Sequence, residues 1–343
     1  MEGHDIIVVG ASAGGVEALR KLVAELPESL PAALFVVLHL PVTAMSTMPQ
    51  ILNRAGVLKA VEAKDKQIIE YGYIYVAPPN YHLLVKRGYI SLTQGPKENS
   101  HRPAVDPLFR TAARAYGERV VGVILSGTLD DGSAGLLAVK SGGGVAVVQD
   151  PEDALFSGMP QNAIKHVDNV DYIVPVGEMA GVLVQLANST VSVGQGEPIS
   201  KDMEMECDVA ELDMAIIGSD DNPGVPSNLA CPTCGGTLWE QNNGNLLRFR
   251  CRVGHAWSQD SLHAEQAEAL EEALWTALRA LEESASLSQR MEKRARERKN
   301  ERMARNYETQ ARETHERASL IREVLIKNKR NDSGGSLPDE GIC

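Results

Sequence analysis

The sequence predicts an α/β protein with a doubly wound, mostly parallel sheet, followed by a small cysteine-containing module and a long α-helical segment. Short apolar runs rich in Val and Ile recur through the first half of the chain, as buried parallel strands require. These runs alternate with segments that carry apolar residues at helical spacing, which is typical of strand–helix–strand units. The stretch from Ser261 to Lys329 contains no proline or glycine and predicts the helical segment.

Five apolar runs are the predicted strands of the sheet. They are Ile6 to Val9, Leu34 to Leu38, Tyr73 to Val76, Val120 to Leu125 and Val145 to Val148. Helical spacing of apolar residues begins at Val16 after the first run and recurs at Leu136 after the fourth. The stretch Tyr81 to Thr93 has Gly88 between two apolar runs and predicts an antiparallel hairpin. We expect this domain to occupy residues 1–190.

The charge distribution divides the chain into three blocks. The formal net charge is −12, of which residues 1–190 carry −4, residues 191–230 carry −8 and residues 231–343 carry none. The middle block is also rich in glycine and proline and predicts an acidic, flexible linker. We expect a small module at 231–260, a helical segment at 261–330 with a solvated or interacting charged part from Arg290 to Arg305, and a disordered tail at 331–343.

The composition excludes several classes of protein. Hydrophobic residues make up 43% and charged residues 23% of the chain, as in ordinary globular domains. The negative charge argues against nucleic acid as a partner. No apolar run approaches the length of a membrane span, and the N-terminus, with Glu2, His4 and Asp5, does not resemble a secretion signal. We therefore expect a cytoplasmic protein without a membrane span.

A small-residue turn follows the first predicted strand. Gly10-x-Ser12-x-Gly14 would present the Ser12 hydroxyl at the carboxyl end of the strand, beside the start of a helix. A dinucleotide-binding turn is the alternative, but Ser12 takes its middle glycine position, and the second strand ends in His39 where that site needs a carboxylate. A third interpretation makes Ser12 a helix cap and His39 an interior residue.

Two other strand ends supply partners for Ser12. His39 follows the second strand, and Asp131 follows the strand Val120 to Leu125. The carboxyl ends of parallel strands share one edge of a sheet, which is where ligands bind in open α/β folds. The sequence therefore predicts that Ser12, His39 and Asp131 meet in one crevice.

Several motifs in this half of the chain carry a resemblance to a known family. In order, they are Gly10-Ala11-Ser12-Ala13-Gly14-Gly15, His39-Leu40-Pro41, Ala77-Pro78-Pro79-Asn80-Tyr81-His82, His101-Arg102-Pro103-Ala104-Val105-Asp106, Gly122-Val123-Ile124-Leu125-Ser126-Gly127 and Asp131-Gly132. The block from Ile6 to about Leu186 resembles the catalytic domain of the CheB protein-glutamate methylesterases of bacterial chemotaxis.

The resemblance implies a serine hydrolase that removes methyl groups from glutamyl esters of chemoreceptors and also deamidates glutamine. Ser12 would be the nucleophile, His39 the general base and Asp131 the group that orients the imidazole. The backbone amides of Thr128 and Ala13 would form the oxyanion hole. No cofactor is expected for catalysis.

The sequence departs from the family pattern in two places. Ala13 stands where the family often has threonine, so a hydroxyl is absent there. The first catalytic strand begins at Ile6, whereas the family's usual enzyme carries an N-terminal receiver domain. We therefore expect that phosphorylation in cis does not control the activity.

His101 and Arg102 lie in a loop before Pro103. Their loop either caps a helix or binds substrate, because a guanidinium pairs well with the carboxylates of an acidic receptor surface. We take both as candidate substrate-binding residues.

Four residues have the spacing of a zinc-ribbon-like module. Cys231 and Cys234 form a C-x2-C pair, and Cys251 and His255 form a C-x3-H pair sixteen residues later. Zinc takes four such ligands in closed, structural sites. The alternative is a small core with free cysteines. Cys207 and Cys343 are isolated and are expected to be free thiols.

Two further functions compete with the methylesterase. One is a non-catalytic regulatory or scaffold protein that uses the α/β domain and the zinc-helix module for partner binding. The other is an esterase with an unrelated substrate, because a triad restricts the reaction more than the substrate. Self-association through the C-terminal helix is a further hypothesis, based on its apolar stripe from Leu270 to Leu281.

Overall fold

The structure is a computed structural model that describes residues 3–39, 47–191, 201–212, 224–243 and 246–332. The chain forms two compact units, residues 1–263 and residues 264–343. The first unit combines the predicted catalytic domain with the cysteine-containing module. The domain boundaries expected from the sequence remain predictions.

A seven-stranded parallel sheet forms the centre of the first unit. Its strands are β1 (Ile6–Ala11), β2 (Ala33–Leu38), β3 (Lys59–Glu62), β4 (Tyr73–Val76), β7 (Val120–Ile124), β8 (Val145–Gln149) and β9 (Tyr172–Val174). The strand order is β3-β4-β2-β1-β7-β8-β9, and every neighbouring pair is parallel. Successive strands are therefore added first on one side of β1 and then on the other, and this change of side creates a crevice at the carboxyl edge of the sheet. The predicted fold class is confirmed.

Helices cover both faces of this sheet. They are α1 (Gly15–Ala24), α2 (Met48–Ala55), α3 (Val105–Tyr116), α4 (Ser133–Ser141), α5 (Gly158–His166) and α6 (Val176–Asn188). Alternate strand residues feed two separate cores: Ile7 packs in the core with Leu19 of α1, and Val8 packs in the core with Phe109 of α3. Both faces of the strands are buried, which explains their continuous apolar runs.

The sequence missed the two edge strands β3 and β9. They have four and three residues, and each keeps exposed side chains, so neither shows a sustained apolar run. The hairpin was predicted correctly. It consists of β5 (His82–Lys86) and β6 (Tyr89–Thr93), which pair antiparallel outside the main sheet.

Part of the expected linker is ordered in the structure. Residues Lys201–Ala210 form helix α7, in which Glu206 and Cys207 are buried. The acidic composition suggested a solvated segment, but Glu206 instead pairs with buried arginines. Residues 192–200 and 213–223 of this segment lie outside the described residues.

The cysteine-containing module is a four-stranded antiparallel sheet. Its strands are β10 (Val225–Ala230), β11 (Thr237–Asn243), β12 (Leu246–Cys251) and β13 (Ala256–Ser258). Its small core contains Leu238, Phe249, Trp257 and Leu262. A core of this size contributes little stability alone.

A helical hairpin follows the module. Helix α8 (Gln259–Glu297) enters the second unit, and α9 (Glu301–Asp332) packs against it through Leu278, Ala318 and Leu325. The sequence was compatible with either one long helix or a helical hairpin, and the structure shows the hairpin. No helix in the described ranges is long and apolar enough to cross a membrane. Residues 333–343, most of the predicted tail, are not described.

Candidate active site

Three strand ends bring the predicted Ser, His and Asp side chains together. Ser12 follows β1, His39 follows β2 and Asp131 follows β7 by a short loop. The Ser12 Oγ lies 3.1 Å from Nδ1 of His39, and Nε2 of His39 lies 2.7 Å from Oδ2 of Asp131. An ionised carboxylate only accepts hydrogen bonds, so the ring proton is assigned to Nε2, which leaves Nδ1 free to accept the Ser12 proton.

Asp131 is buried among hydrogen-bond donors. The backbone N–H of Val105, at the start of α3, donates to Oδ2 over 2.7 Å, and Nδ2 of Asn99 donates to Oδ1 over 3.1 Å. Burial alone would raise the pKa of Asp131, but the hydrogen bond and charge of His39 outweigh it and lower the pKa to about 2. The carboxylate is therefore ionised at neutral pH.

The backbone of the Ser12 turn is fixed by a neighbouring loop. The Ser12 N–H donates to the Ser126 carbonyl over 3.0 Å, and the Ser126 hydroxyl donates to the Ala13 carbonyl over 2.8 Å. Gly14 adopts a left-handed φ of 73° and caps α1 without a side-chain hydrogen bond. Ser12 is therefore not the cap of α1, and that part of the third interpretation is wrong.

Two backbone amides predicted for the oxyanion hole lie in the turns around Ser12. Within the described ranges, the amides of Ala13 and Thr128 donate to no acceptor. The residue before Thr128 is Gly127, and a Cβ added to Gly127 would lie only 2.9 Å from the Cβ of Ser12. The backbone that leads into Thr128 therefore runs directly beside the serine. Both amides are thus available to a ligand atom at Ser12.

The two predicted substrate-binding residues have different surroundings. His101 stacks on His39 with ring centroids 3.6 Å apart. Burial, reinforced by the charge of His39, lowers the pKa of His101 to about 4. Arg102 instead donates to Oδ1 of Asn80 and to the carbonyls of Gln94 and Gly95. The Arg102 guanidinium thus organises its own loop, and substrate binding by either residue remains a prediction.

Sequence reasoning missed two polar residues behind the triad. Asn99 joins Asp131 to Asp106, and Asp106 accepts hydrogen bonds from the amides of Gly132 and Gly135. Burial raises the pKa of Asp106 to about 7, and the negative charge of Asp131 adds to the effect. In the sequence, Asp106 is only the last residue of a motif and Asn99 belongs to no motif or periodic pattern, so nothing in the sequence indicates that both lie close to Asp131.

The four predicted metal ligands form one cluster. The ligand atoms of Cys231, Cys234, Cys251 and His255 all lie within 4.8 Å of one another. The Cys234 and Cys251 sulfurs are 3.7 Å apart, and Nδ1 of His255 lies 3.8 and 3.6 Å from the sulfurs of Cys231 and Cys251. A tetrahedral zinc ion with Zn–S near 2.3 Å and Zn–N near 2.0 Å separates its ligands by about 3.8 Å (S to S) and about 3.5 Å (S to N). The cluster can hold a metal ion of this size.

The environment of Cys231 favours a metal-binding thiolate. Burial acts to raise the pKa of Cys231, but nearby polar groups, among them the Trp257 indole and the backbone amides of Thr233 and Cys234, leave it below its ordinary value. Gly235 and Gly254 have left-handed φ values of 71° and 100°, which allow each knuckle to turn sharply around the ligands.

The fold and the site together define a class of protein. A serine, an imidazole and a carboxylate are hydrogen-bonded in series at the carboxyl edge of a parallel sheet, next to two backbone amides that donate to no acceptor among the described residues. Serine hydrolases use this arrangement to activate a hydroxyl and to stabilise an oxyanion.

Comparisons with known proteins identify the family. Residues 7–183 match the family model described as CheB methylesterase. The crystal structure of the Thermotoga maritima CheB methylesterase catalytic domain matches with a TM-score of 0.52 and 32% identity, over 54% of this chain and 100% of that one. The protein-glutamate methylesterase/protein-glutamine glutaminase 2 of Oleidesulfovibrio alaskensis is 37% identical over 188 residues, 54% of this chain and 52% of that protein. A Leptospira interrogans protein named for the same two activities is 38% identical over 184 residues, 53% of this chain and 95% of its own length.

The chain therefore belongs to the CheB methylesterase family and is a hydrolase. The family resemblance inferred from the sequence motifs is confirmed, and the dinucleotide interpretation of the Ser12 turn is wrong. Membership in a hydrolase family also favours catalysis over the scaffold alternative. The match to the family model ends at residue 183, so the cysteine-containing module and the helical hairpin lie outside it.

Gly127 gives a test of the packing around Ser12. An alanine Cβ there would lie 2.1 Å from Sδ of Met159 and 2.9 Å from Cβ of Ser12. We expect Gly127→Ala to displace Ser12 and to lower kcat for ester hydrolysis about 100-fold, because misplacement by about 1 Å costs that much. Gly177→Ala on α6, where an added Cβ meets nothing within 4 Å, is the control and should leave kcat unchanged. Equal kcat values for the two variants would contradict this packing.

Proposed function

We propose that this chain hydrolyses the γ-methyl esters of glutamate residues in chemoreceptors, and the side-chain amides of glutamine, with Ser12 as its nucleophile. The observation that carries the proposal is the hydrogen-bonded series of Ser12, His39 and Asp131. Relatives named protein-glutamate methylesterase/protein-glutamine glutaminase support the choice of substrate and its place in chemotaxis-type signalling.

In the first half-reaction the glutamyl acyl group of the ester is transferred to Ser12. Nδ1 of His39 takes the proton from the Ser12 hydroxyl as Oγ forms a bond to the ester carbonyl carbon. The amides of Ala13 and Thr128 stabilise the resulting oxyanion. The bond from carbon to the methoxy oxygen then breaks, and His39 returns the proton, so that methanol leaves; with glutamine the product is ammonia.

In the second half-reaction water releases the glutamate. His39 takes a proton from water as the water oxygen attacks the acyl carbon, and the proton then returns to Oγ of Ser12 as the acyl bond breaks. Asp131 remains ionised throughout and stabilises the imidazolium in both steps. His101, stacked on His39 with its pKa lowered to about 4, stays neutral and adds no competing charge at neutral pH.

Zn²⁺ is the proposed metal of the cysteine cluster, held by Cys231, Cys234, Cys251 and His255. When bound, it would supply folding free energy to a module with a small core, and no chemistry. Four protein ligands would occupy all the positions of a tetrahedral ion, which is typical of structural sites.

The proposed partner is a methylated chemoreceptor or a similar signalling protein. His101 lines the site at His39, and we propose that Arg102 contributes positive charge toward an acidic receptor surface. Self-association of the helical hairpin is a second proposed contact. It is supported by exposed apolar side chains at Leu270, Leu287 and Leu320.

The direct test is methanol release from a methylated receptor. We expect Ser12→Ala to reduce the rate at least about 10³-fold, because the residual catalysis comes only from binding and the oxyanion hole. Ser91→Ala in β6, outside the crevice, should retain the rate of the unmodified chain. Methanol release by Ser12→Ala at the unmodified rate would refute the proposal.

A further inference from the structure

We propose that the cysteine-containing module and α7 act as a clamp on the triad, and that Asn99 is the positioning residue through which the clamp holds Asp131. This inference deepens the proposed function and rests on it. It assigns a catalytic consequence to a part of the chain that the family match does not include.

The module binds the active-site loop through its backbone. The Asn99 N–H donates to the Ala256 carbonyl over 2.8 Å, and the Ala256 N–H donates to the Lys97 carbonyl over 3.3 Å. Glu98 and Ala256 thereby form a parallel bridge, so that the loop continues the sheet of the module beyond β13. Main-chain pairing of this kind fixes the position of a loop independently of its side chains.

The Asn99 side chain connects the module to Asp131 by hydrogen bonds. Its Oδ1 accepts the N–H of Ser258 over 2.9 Å, and its Nδ2 donates to Oδ1 of Asp131 over 3.1 Å. The Asn99 amide is therefore held by the module at one end and holds the carboxylate at the other. Its φ of 50° is in the left-handed region, which asparagine tolerates better than most residues.

A second contact reaches the residue next to Asp131. The hydroxyls of Ser258 and Ser261 both donate to Oδ1 of Asp130, over 2.6 and 2.8 Å. All three side chains are buried. The loop that ends in Asp131 is thus tied to the β13–α8 segment at two positions, Ser258 and Ser261.

A buried ion cluster makes the clamp rigid. Arg110 of α3 donates to both carboxylate oxygens of Glu98, over 2.7 and 3.0 Å, while Arg248 of β12 pairs with Glu98 over 3.2 Å and with Glu206 of α7 over 2.5 Å. The four side chains are almost completely buried. The arginine charges hold the pKa of Glu98 well below its ordinary value although burial acts in the opposite direction. Buried charges need all their partners in place, so the catalytic domain, α7 and the module depend on each other here.

Two of the four predicted metal ligands lie between or at the ends of the strands that form the clamp. Cys251 ends β12 and His255 immediately precedes β13, so two of the four metal ligands flank the turn between these strands. Arg250 also donates to the carbonyl of Gly254 within that turn. Ordering of this turn by a metal ion should therefore fix Ala256 and Ser258, and through them Asn99.

The first experiment measures how fast a fluorophosphonate labels Ser12 in full-length Asn99→Asp and Asn99→Gly as a function of pH. Loss of a hydrogen bond to a charged group corresponds to about a 10- to 100-fold lower rate, and we expect that reduction in both variants. In Asn99→Asp, the fall of the labelling rate at acidic pH should also begin at a higher pH, because a second carboxylate beside Asp131 favours the protonated form of the His39–Asp131 pair. Asn99→Gly adds no charge and should not show this shift. The control, Asn188→Asp at the end of α6, adds the same charge elsewhere and should match the unmodified chain.

The second experiment removes a metal ligand. Cys251→Ser and the control Cys343→Ser are compared for zinc content by native mass spectrometry, for hydrogen exchange of residues 97–101 and for labelling of Ser12. We expect Cys251→Ser to lose zinc, to exchange these amides at least about 10-fold faster as their pairing opens, and to label more slowly.

The outcomes separate this inference from the proposed function. Labelling of the Asn99 variants at the unmodified rate and pH dependence would overturn the inference, as would loss of zinc without change in exchange or labelling. Failure of the unmodified chain to label at Ser12 would instead overturn the proposed function.

Discussion

Asp131→Asn is expected to lower kcat about 10⁴-fold with little change in KM. An asparagine NH2 group directed at Nε2 of His39 would move the ring proton to Nδ1, and that nitrogen could no longer accept the proton of Ser12. The fold should tolerate the change, because asparagine keeps the shape of the side chain and an acceptor oxygen for Nδ2 of Asn99, although the amide of Val105 loses its acceptor. The effect should therefore appear in the chemical step.

Asp130→Asn is the matched control for this prediction. Asp130 is also buried, and its Oδ1 accepts the hydroxyls of Ser258 and Ser261, which an asparagine oxygen can replace. We expect kcat to change less than about 10-fold, since the hydrogen bonds are kept. Rates of methanol release would distinguish the two variants, and equal losses at the two positions would contradict the role given to Asp131.

Arg110→Met is expected to lower the free energy of unfolding by about 3 to 5 kcal/mol, the usual cost of removing one partner from a buried ion pair. Methionine fills much of the space but leaves the carboxylate of Glu98 without its two-pronged partner and removes one of the arginines paired with Glu206. Urea denaturation of the full chain, followed by a probe of the first unit, measures the loss.

Arg114→Met, one turn further along α3, provides the control. Arg114 pairs with Asp208 and Glu211 of the segment around α7, but these side chains are partly exposed. Exposed pairs contribute about 0 to 1 kcal/mol. A loss at Arg114 as large as that at Arg110 would mean that the buried cluster is not what joins the module to the catalytic domain.

The grouping of Ser12, His39 and Asp131 could be predicted from the sequence because each of them lies at the end of an apolar run or a short loop beyond it. The strand pattern alone placed Ser12, His39 and Asp131 at one edge of the sheet, and the structure brings their side chains within hydrogen-bonding distance. The four predicted metal ligands could also be recognised in the sequence, because two short ligand pairs at this spacing are typical of one zinc site.

The clamp could not be predicted, because its contacts join residues far apart in the chain. Asn99 and Ser258 are 159 residues apart, and neither belongs to a periodic pattern. The composition of the acidic segment also predicts the wrong environment for Glu206, which counts as one charge in a net −8 block but is buried against Arg110 and Arg248. Composition does not distinguish a solvated carboxylate from one that is paired in the interior.

The helical hairpin shows a similar limit. Its buried positions include Ala285, Ala295, Ala304 and Ala311, so small residues continue the seam where leucine ends. A search for large apolar residues finds only the part around Leu278. The buried positions of the hairpin therefore extend beyond the leucine-rich part that the sequence pattern shows.

The most direct measurement of the central claim is titration of the enzyme with a fluorophosphonate, with the modified residue located by peptide mass spectrometry. We predict that one equivalent reacts, that the adduct lies on Ser12, and that methanol release from a methylated receptor falls in proportion to the labelled fraction. An adduct on another residue, or undiminished methanol release from chains fully labelled at Ser12, would contradict the account.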